Sequence, residues 1–182
     1  MHEKRFNREI ERLRDPERLA RLEVDRVAAL SLENLDHPKS VLDIGVGSGV
    51  FAEAFAARGL QISAVDVNPE MLTAALAYVP SAAFKQGAAE KLPFADAAFD
   101  LAFMGLLLHE TDDTLAALIE AFRVTQKRLA ILEWPYEDLP FGPPLEHRLP
   151  QDRIISLAQQ AGFKKVEALR LQNLVLYRCD AA

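Results

Sequence analysis

The stretch Val41-Leu42-Asp43-Ile44-Gly45-Val46-Gly47-Ser48-Gly49 constrains the fold more than any other part of the chain. Residues 41–44 read as a short strand buried on both faces, as strands of a parallel sheet are. Three glycines at alternate positions cut the strand off, and an apolar, helix-like run follows at 50–57. Glycine lets the backbone turn sharply and a ligand come close, because no Cβ stands in the way. In open α/β sheets such a strand–glycine–helix junction is where nucleotides and nucleotide-like cofactors bind.

The chain around it alternates strand and helix. Asp15-Pro16-Glu17 is a helix start, since Asp caps and Pro is tolerated at the first helical position. Leu19, Leu22, Arg26 and Leu30 follow near helical spacing. The charges of alternating sign from Arg5 and Arg8 through Glu9 to Arg18 read as a solvated face laced with ion pairs, not as a binding patch. Strands are expected at 61–65, 82–86, 99–105 and 129–134, with Asn68-Pro69 and Asp112-Asp113 opening the helices between them. Leu115, Leu118, Ile119 and Phe122 follow the i, i+3, i+4, i+7 pattern. Residues 135–150 form a proline-rich excursion too long for a simple connection, and so a candidate for function. A helix over 154–161 stops at Gly162, and 164–171 and 174–179 read as a closing strand pair. Their tight connection, Gln172-Asn173, joins antiparallel neighbours only. The spacing therefore predicts seven strands, of which only the last is antiparallel, inserted beside the fifth.

At 182 residues the chain suits one core and is short for two. It divides into an N-terminal helical segment (1–38), a cofactor-binding core (39–134), the proline-rich loop (135–150) and a closing helix and strand pair (151–182). A formal charge of −6 argues against nonspecific nucleic-acid binding, which needs a basic surface. The single cysteine, Cys179, makes no internal disulfide, and no apolar run approaches membrane-spanning length. A cytoplasmic protein is expected. His2, His37, His109 and His147 show no metal-ligand spacing. A nicotinamide enzyme would carry G-x-G-x-x-G, but Val50 stands where its last glycine belongs. A phosphate loop would need Lys-Ser/Thr where this chain has Val50-Phe51.

Taken together, residues 41–49, the acidic end of the second strand, Ala88-Ala89-Glu90-Lys91-Leu92-Pro93-Phe94 and Phe99-Asp100-Leu101 resemble a class I S-adenosylmethionine-dependent methyltransferase. The subgroup most similar in look is the small, single-domain one that includes the ubiquinone-biosynthesis-like enzymes (methyltransferase type 11). The resemblance is good over about residues 40–134. It implies an α/β fold with a Rossmann-like, doubly wound seven-stranded sheet, S-adenosylmethionine as cofactor, and methyl transfer to a small-molecule acceptor, with no nucleic acid or membrane as partner. A cofactor- or partner-binding relative without catalysis is the alternative.

The resemblance also implies roles. Gly45, Gly47 and Gly49 would wrap the methionine end, with Asp43 near its ammonium. Asp66 would accept hydrogen bonds from both ribose hydroxyls, or else serve as a second cap beside Asn68. Val67 and Met71 would pack on the adenine, though Met71 also reads as helix core, and Ala89 would meet the adenine edge. Met104 and Gly105 would line the methionine side. Many relatives carry Asp where this chain has Ala88, and turn into the fifth strand through Pro-Gly-Gly where it has Thr125-Gln126-Lys127-Arg128. His109 is the candidate general base, or a residue shaping the pocket floor. Glu133, Trp134 and Tyr136 sit at the mouth, as acceptor-site residues or edge packing. Gly142 to Arg148, within the 135–150 segment, resembles the acceptor-side loop of some relatives, or else is a rigid structural crossing, and Arg148 there would pair with an anionic acceptor or with a nearby carboxylate such as Glu146.

Overall fold

The computed structural model describes residues 10–181. The expectations for His2, Arg5, Arg8 and Glu9 lie outside them. Strands are β1 (Ser40–Ile44), β2 (Gln61–Asp66), β3 (Ala83–Gln86), β4 (Phe99–Gly105), β5 (Thr125–Glu133), β6 (Lys165–Arg170) and β7 (Val175–Asp180). Helices are α1 (Pro16–Leu22), α2 (Val24–Leu32), α3 (Val50–Ala56), α4 (Pro69–Tyr78), α5 (Thr114–Val124) and α6 (Gln151–Ala161). The seven strands make one sheet in the order β3-β2-β1-β4-β5-β7-β6. Pairs from β3 through β5 are parallel, and β7 runs antiparallel to both its neighbours. The reversed last strand beside β5 is as the tight connection requires.

Apolar residues alternate strictly between the two faces. Leu42, Ile44, Ala102, Met104, Leu129, Ile131 and Tyr177 pack with α5 and α6. Val41, Leu101, Phe103, Ala130, Leu132 and Leu176 pack with α2 and α3. Both faces are covered, so the central strands must be apolar throughout. A charge on such a strand is conspicuous, and Asp43 and Glu133 are the two buried ones toward the carboxyl ends. The strand order reverses between β1 and β4, which opens a crevice above their carboxyl ends. At the opposite end, Asp100 Oδ2 accepts the Lys39 and Ser40 amides at 2.9 and 3.2 Å, and Oδ1 pairs with Lys127 at 2.9 Å. Asp100 thus pins the start of β1 to β4 and β5.

Three local expectations are corrected. The helical spacing after Asp15 is broken in two at Glu23, which holds φ 47°, ψ 44°. Its carboxylate accepts the Gln172 amide at 2.8 Å and the Arg26 guanidinium at 2.7 Å, tying the break to the β6–β7 turn. Thr125 to Arg128 is not a turn but the beginning of β5. Thr125 Oγ1 donates to Ala121 O at 2.6 Å, so α5 runs directly into the strand. On α5 the buried stripe is Ala117, Leu118, Ala121 and Val124, and Ile119 is 47% exposed on the outer side.

Candidate active site

Above the crevice lies a cleft of about 1200 Å³, bounded by the ends of β1, β2, β4 and β5 below and by α1 and the 135–150 loop at its sides. Pockets for a single drug-sized ligand run to about 300–1,000 Å³, so this one has room for a cofactor and a second molecule together.

The glycine junction forms its floor. Gly45 holds φ +71°, and a Cβ there would stand 2.7 Å from Leu107. Its amide donates to Val65 O at 2.8 Å, which bends the chain across the end of β2. Asp66 fixes the same turn: Oδ2 accepts the Gly47 amide and Oδ1 the Asn68 amide, both at 2.9 Å. The cap reading and the ligand reading of Asp66 are therefore compatible. A carboxylate has about four lone-pair sites, more than these amides use, and Asp66 lines the cleft. Burial, the largest influence, pushes the Asp66 pKa up, against the pull of the Asn68, Gly47 and Val67 amides.

Asp43 is 3% exposed at the base of the cleft. Desolvation pushes its carboxyl up to about 7, with the Ala52 amide of α3 opposing and the Asp66 charge adding. No cationic side chain of the described residues pairs with it. A buried carboxylate in that condition gains from a cationic ligand group. Val67, Met71 and Ala89 form an apolar wall beside Asp66, with Met71 4% and Ala89 8% exposed. Glycines without side chains, a carboxylate in need of a cation, a second with spare acceptor sites and an apolar wall fit S-adenosylmethionine at its tail, ammonium, ribose and adenine. The Ala88 departure leaves this wall intact.

His109 lines the opposite part of the cleft, in a 3₁₀ turn just past β4. Its Nδ1 lies 3.0 and 2.9 Å from the two carboxylate oxygens of Glu133, the last residue of β5. The His109 amide donates to Glu133 Oε1, and the Trp134 amide to Oε2, each at 3.1 Å. Glu133 is 2% exposed. Since a carboxylate only accepts, Nδ1 carries the proton and Nε2 is the free nitrogen, 3.8 Å from Glu110 Oε1. Burial is the largest influence on His109 and lowers its pKa. The Glu133 charge and hydrogen bond, with Glu110, outweigh it, and the net direction is upward.

Of the sequence-predicted residues, the cleft brings together Asp43, Gly45, Gly47, Asp66, Val67, Met71, Ala89, Gly105, His109 and Trp134. Four fall elsewhere. Gly49 (φ +79°) backs onto α4, where a Cβ would stand 3.0 Å from that of Ala75, so it serves helix packing. Met104 points to the α5 face and is fully buried in that core, because the strand alternation that turns Gly105 to the cleft turns Met104 away. Tyr136 is 50% exposed and outside the cleft. Arg148 faces into its own loop: it donates to the carbonyls of Pro143 (2.8 Å), Pro135 (3.3 Å), Glu137 (2.7 Å) and Phe141 (2.7 Å). Its donors meet these carbonyls and not Glu146; the loop is folded around it.

Sequence reasoning singled out neither Arg18, Arg21 nor Phe141, which line the cleft with Gly142 of the expected acceptor-side loop, and it gave Glu133 no role as partner to His109. Gly142 lies against the Trp134 ring, where a Cβ would stand 2.9 Å away. For Glu133 a signal existed, a single charge ending an otherwise apolar strand. The ion-pair reading of the N-terminal charges holds for Arg14, paired with Glu53 at 2.8 Å. It fails for Arg18, which lines the cleft. Among the described residues no helix is long and apolar enough to cross a membrane, and no cluster of His, Cys, Asp and Glu could hold a metal ion.

Residues 42–131 match the family model described as a methyltransferase domain. The chain is 33% identical over 135 residues to malonyl-[acyl-carrier protein] O-methyltransferase of Erwinia billingiae, covering 66% of this chain and 53% of that protein. It is 34% identical over 128 residues to demethylmenaquinone methyltransferase of Renibacterium salmoninarum, covering 69% of this chain and 51% of the other. The chain thus spans about half the length of these curated relatives. Among solved structures, a SAM-dependent methyltransferase from Aquifex aeolicus superimposes with a TM-score of 0.83 at 25% identity, over 95% of this chain and 97% of that one. The fold, the glycine junction with its two carboxylates, and these likenesses assign the chain to one family: it belongs to the class I S-adenosylmethionine-dependent methyltransferases.

Proposed function

We propose that this chain transfers the methyl group of S-adenosylmethionine to a small-molecule acceptor, and that His109, oriented by Glu133, takes the proton the acceptor loses. The observation that carries the proposal is the buried His109–Glu133 pair, with its free nitrogen in the same cleft as Asp43 and Asp66. S-adenosylmethionine, when bound, supplies a methyl group already activated on a sulfonium. What remains for the protein is alignment, exclusion of water and proton removal. Asp43 holds the ammonium, Asp66 the ribose hydroxyls, and Val67, Met71 and Ala89 the adenine. Glu133 keeps the proton on Nδ1 of His109, so Nε2 is the base, and its carboxylate stabilises the imidazolium that results. His109 Nε2 would accept the proton that the acceptor's nucleophilic atom loses on methylation. The two named relatives act on different acceptors by their names, so the shared cofactor is what carries over, not the acceptor.

A filter assay with tritiated methyl donor and a panel of hydroxyl, carboxyl and amine acceptors tests this across pH 6–9. The base must be neutral to work, so the rate should rise with pH through the raised His109 pKa. His109→Gln should remove that limb and cut the rate roughly 10²–10⁴-fold. Glu133→Gln should move the limb to lower pH, because it takes away the charge that raises the pKa. A profile of unchanged shape in His109→Gln would contradict the assignment. Tight S-adenosylhomocysteine binding with transfer to no acceptor would favour the non-catalytic alternative.

A further inference from the structure

The described arginines that are not exposed fall into a pattern with two exceptions. Arg14, Arg123, Arg128 and Arg178 each pair with a carboxylate, at 2.8, 2.8, 2.6 and 2.6 Å. Arg148 gives four hydrogen bonds to backbone carbonyls. Among the described residues, the Arg18 side chain makes one hydrogen bond, to Leu13 O at 3.1 Å, and Arg21 makes none to a carboxylate. Both line the cleft. Three residues apart on α1, they share a face of that helix. Desolvation and then the Arg21 charge lower the Arg18 pKa, with Glu110 opposing. Two cations side by side in a half-buried cleft are costly unless an anion joins them.

The surroundings of Arg21 say what else that anion carries. The Arg21 guanidinium stands 5.5 Å from the ring centre of Phe141, and Phe141 stacks at a tilt on Trp134 at 6.0 Å. Trp134 follows Glu133, the partner of His109. Phe141 and Trp134 therefore form an aromatic wall beside the guanidinium, in the cleft that His109 also lines. The acidic groups facing this end are already engaged. Asp15 caps α1 through the Glu17 and Arg18 amides, Glu90 accepts the Asp112 amide, and Glu110 sits by His109. Asp43 and Asp66 belong to the cofactor end.

We infer that Arg21, flanked by Arg18, is the anion-binding end of the acceptor site. The acceptor is a small molecule with a carboxylate or phosphate on Arg21, an apolar body on Phe141 and Trp134, and its reacting atom at His109. A guanidinium takes either anion through its fork of N–H donors. This rests on reading the cleft as a methyl-transfer site.

Calorimetry on the full chain loaded with S-adenosylhomocysteine tests it, using 4-hydroxybenzoate and phenyl phosphate as anionic probes and methyl 4-hydroxybenzoate as the neutral one. The anionic probes should bind at least about tenfold more tightly than the neutral ester, and Arg21→Gln should abolish that preference, as loss of a charge-assisted hydrogen bond requires. The ester's affinity and that of S-adenosylhomocysteine should stay within about threefold of wild type, which also certifies a folded cleft. Arg21→Lys should keep more of the phosphate affinity than of the carboxylate affinity, since a point charge replaces a fork. Whichever anion shows the larger preference names the group on the acceptor. Equal binding of anions and ester, an unaltered preference in Arg21→Gln, or no binding of either anion overturns the inference. Loss of S-adenosylhomocysteine affinity in Arg21→Gln assigns the charge to the cofactor's own carboxylate and overturns it too. If S-adenosylhomocysteine fails to bind the wild-type chain, the methyl-transfer reading itself has failed.

Discussion

Asp43 carries a testable consequence of its own burial. Its carboxyl is pushed up to about 7, so between about pH 4 and 7 the folded chain holds a proton that the unfolded chain has released. In the cofactor-free protein its contribution to stability is present below about pH 4 and is lost as the pH rises through about 7. An ammonium group beside it needs the charged form, so S-adenosylhomocysteine binding must expel the proton at acid pH. Affinity should therefore fall as the pH drops below about 7, approaching about tenfold per unit, and level off above it. Asp43→Asn should bind roughly tenfold or more weakly at pH 8 and lose most of the slope. Asp66 is also raised, so the difference between wild type and Asp43→Asn isolates Asp43. A wild-type affinity independent of pH from 5.5 to 8 would contradict this account. That Asp43, Asp66, Val67, Met71 and Ala89 would meet at one cleft was legible because they lie at or just past strand ends. Arg21 was not. A run of alternating charges is the same pattern whether its inner face meets water or a cleft, and only the distant Phe141 decides which.

At the scale of elements, the 135–150 loop owes its shape to Arg148. Its prolines marked the segment as rigid, but the sequence offered no way to tell an arginine that meets a ligand from one that gathers carbonyls. Loops that curl around a single cation do so through backbone groups that any residue supplies. Arg148→Lys cannot reproduce the fork of four hydrogen bonds. It should cost about 2–4 kcal/mol, several degrees in Tm for a chain of this length. Hydrogen exchange should quicken across residues 135–147, while S-adenosylhomocysteine affinity stays within about threefold. Unaltered exchange in that segment would contradict the structural role. The break at Glu23 is a second feature hidden from local pattern, because the bonds that hold it come from the β6–β7 turn.

For the molecule as a whole, sheet order was the most legible property. Alternating strands and helices force parallel pairing with both faces covered, and the two-residue connection at Gln172-Asn173 forces β7 to run backward against β6. Those constraints put the crevice between β1 and β4, and the glycine junction says what it is for. The measurement that meets this claim most directly is calorimetry of the chain with S-adenosylhomocysteine, NAD and NADP, repeated with Asp66→Ala. One S-adenosylhomocysteine should bind per chain and neither dinucleotide should. Asp66→Ala should weaken binding roughly ten- to several-hundred-fold, from two charge-assisted hydrogen bonds of about 1.5–3 kcal/mol each, partly replaced by water. Tight binding of NAD with no response to S-adenosylhomocysteine, or an affinity unmoved by Asp66→Ala, would contradict it.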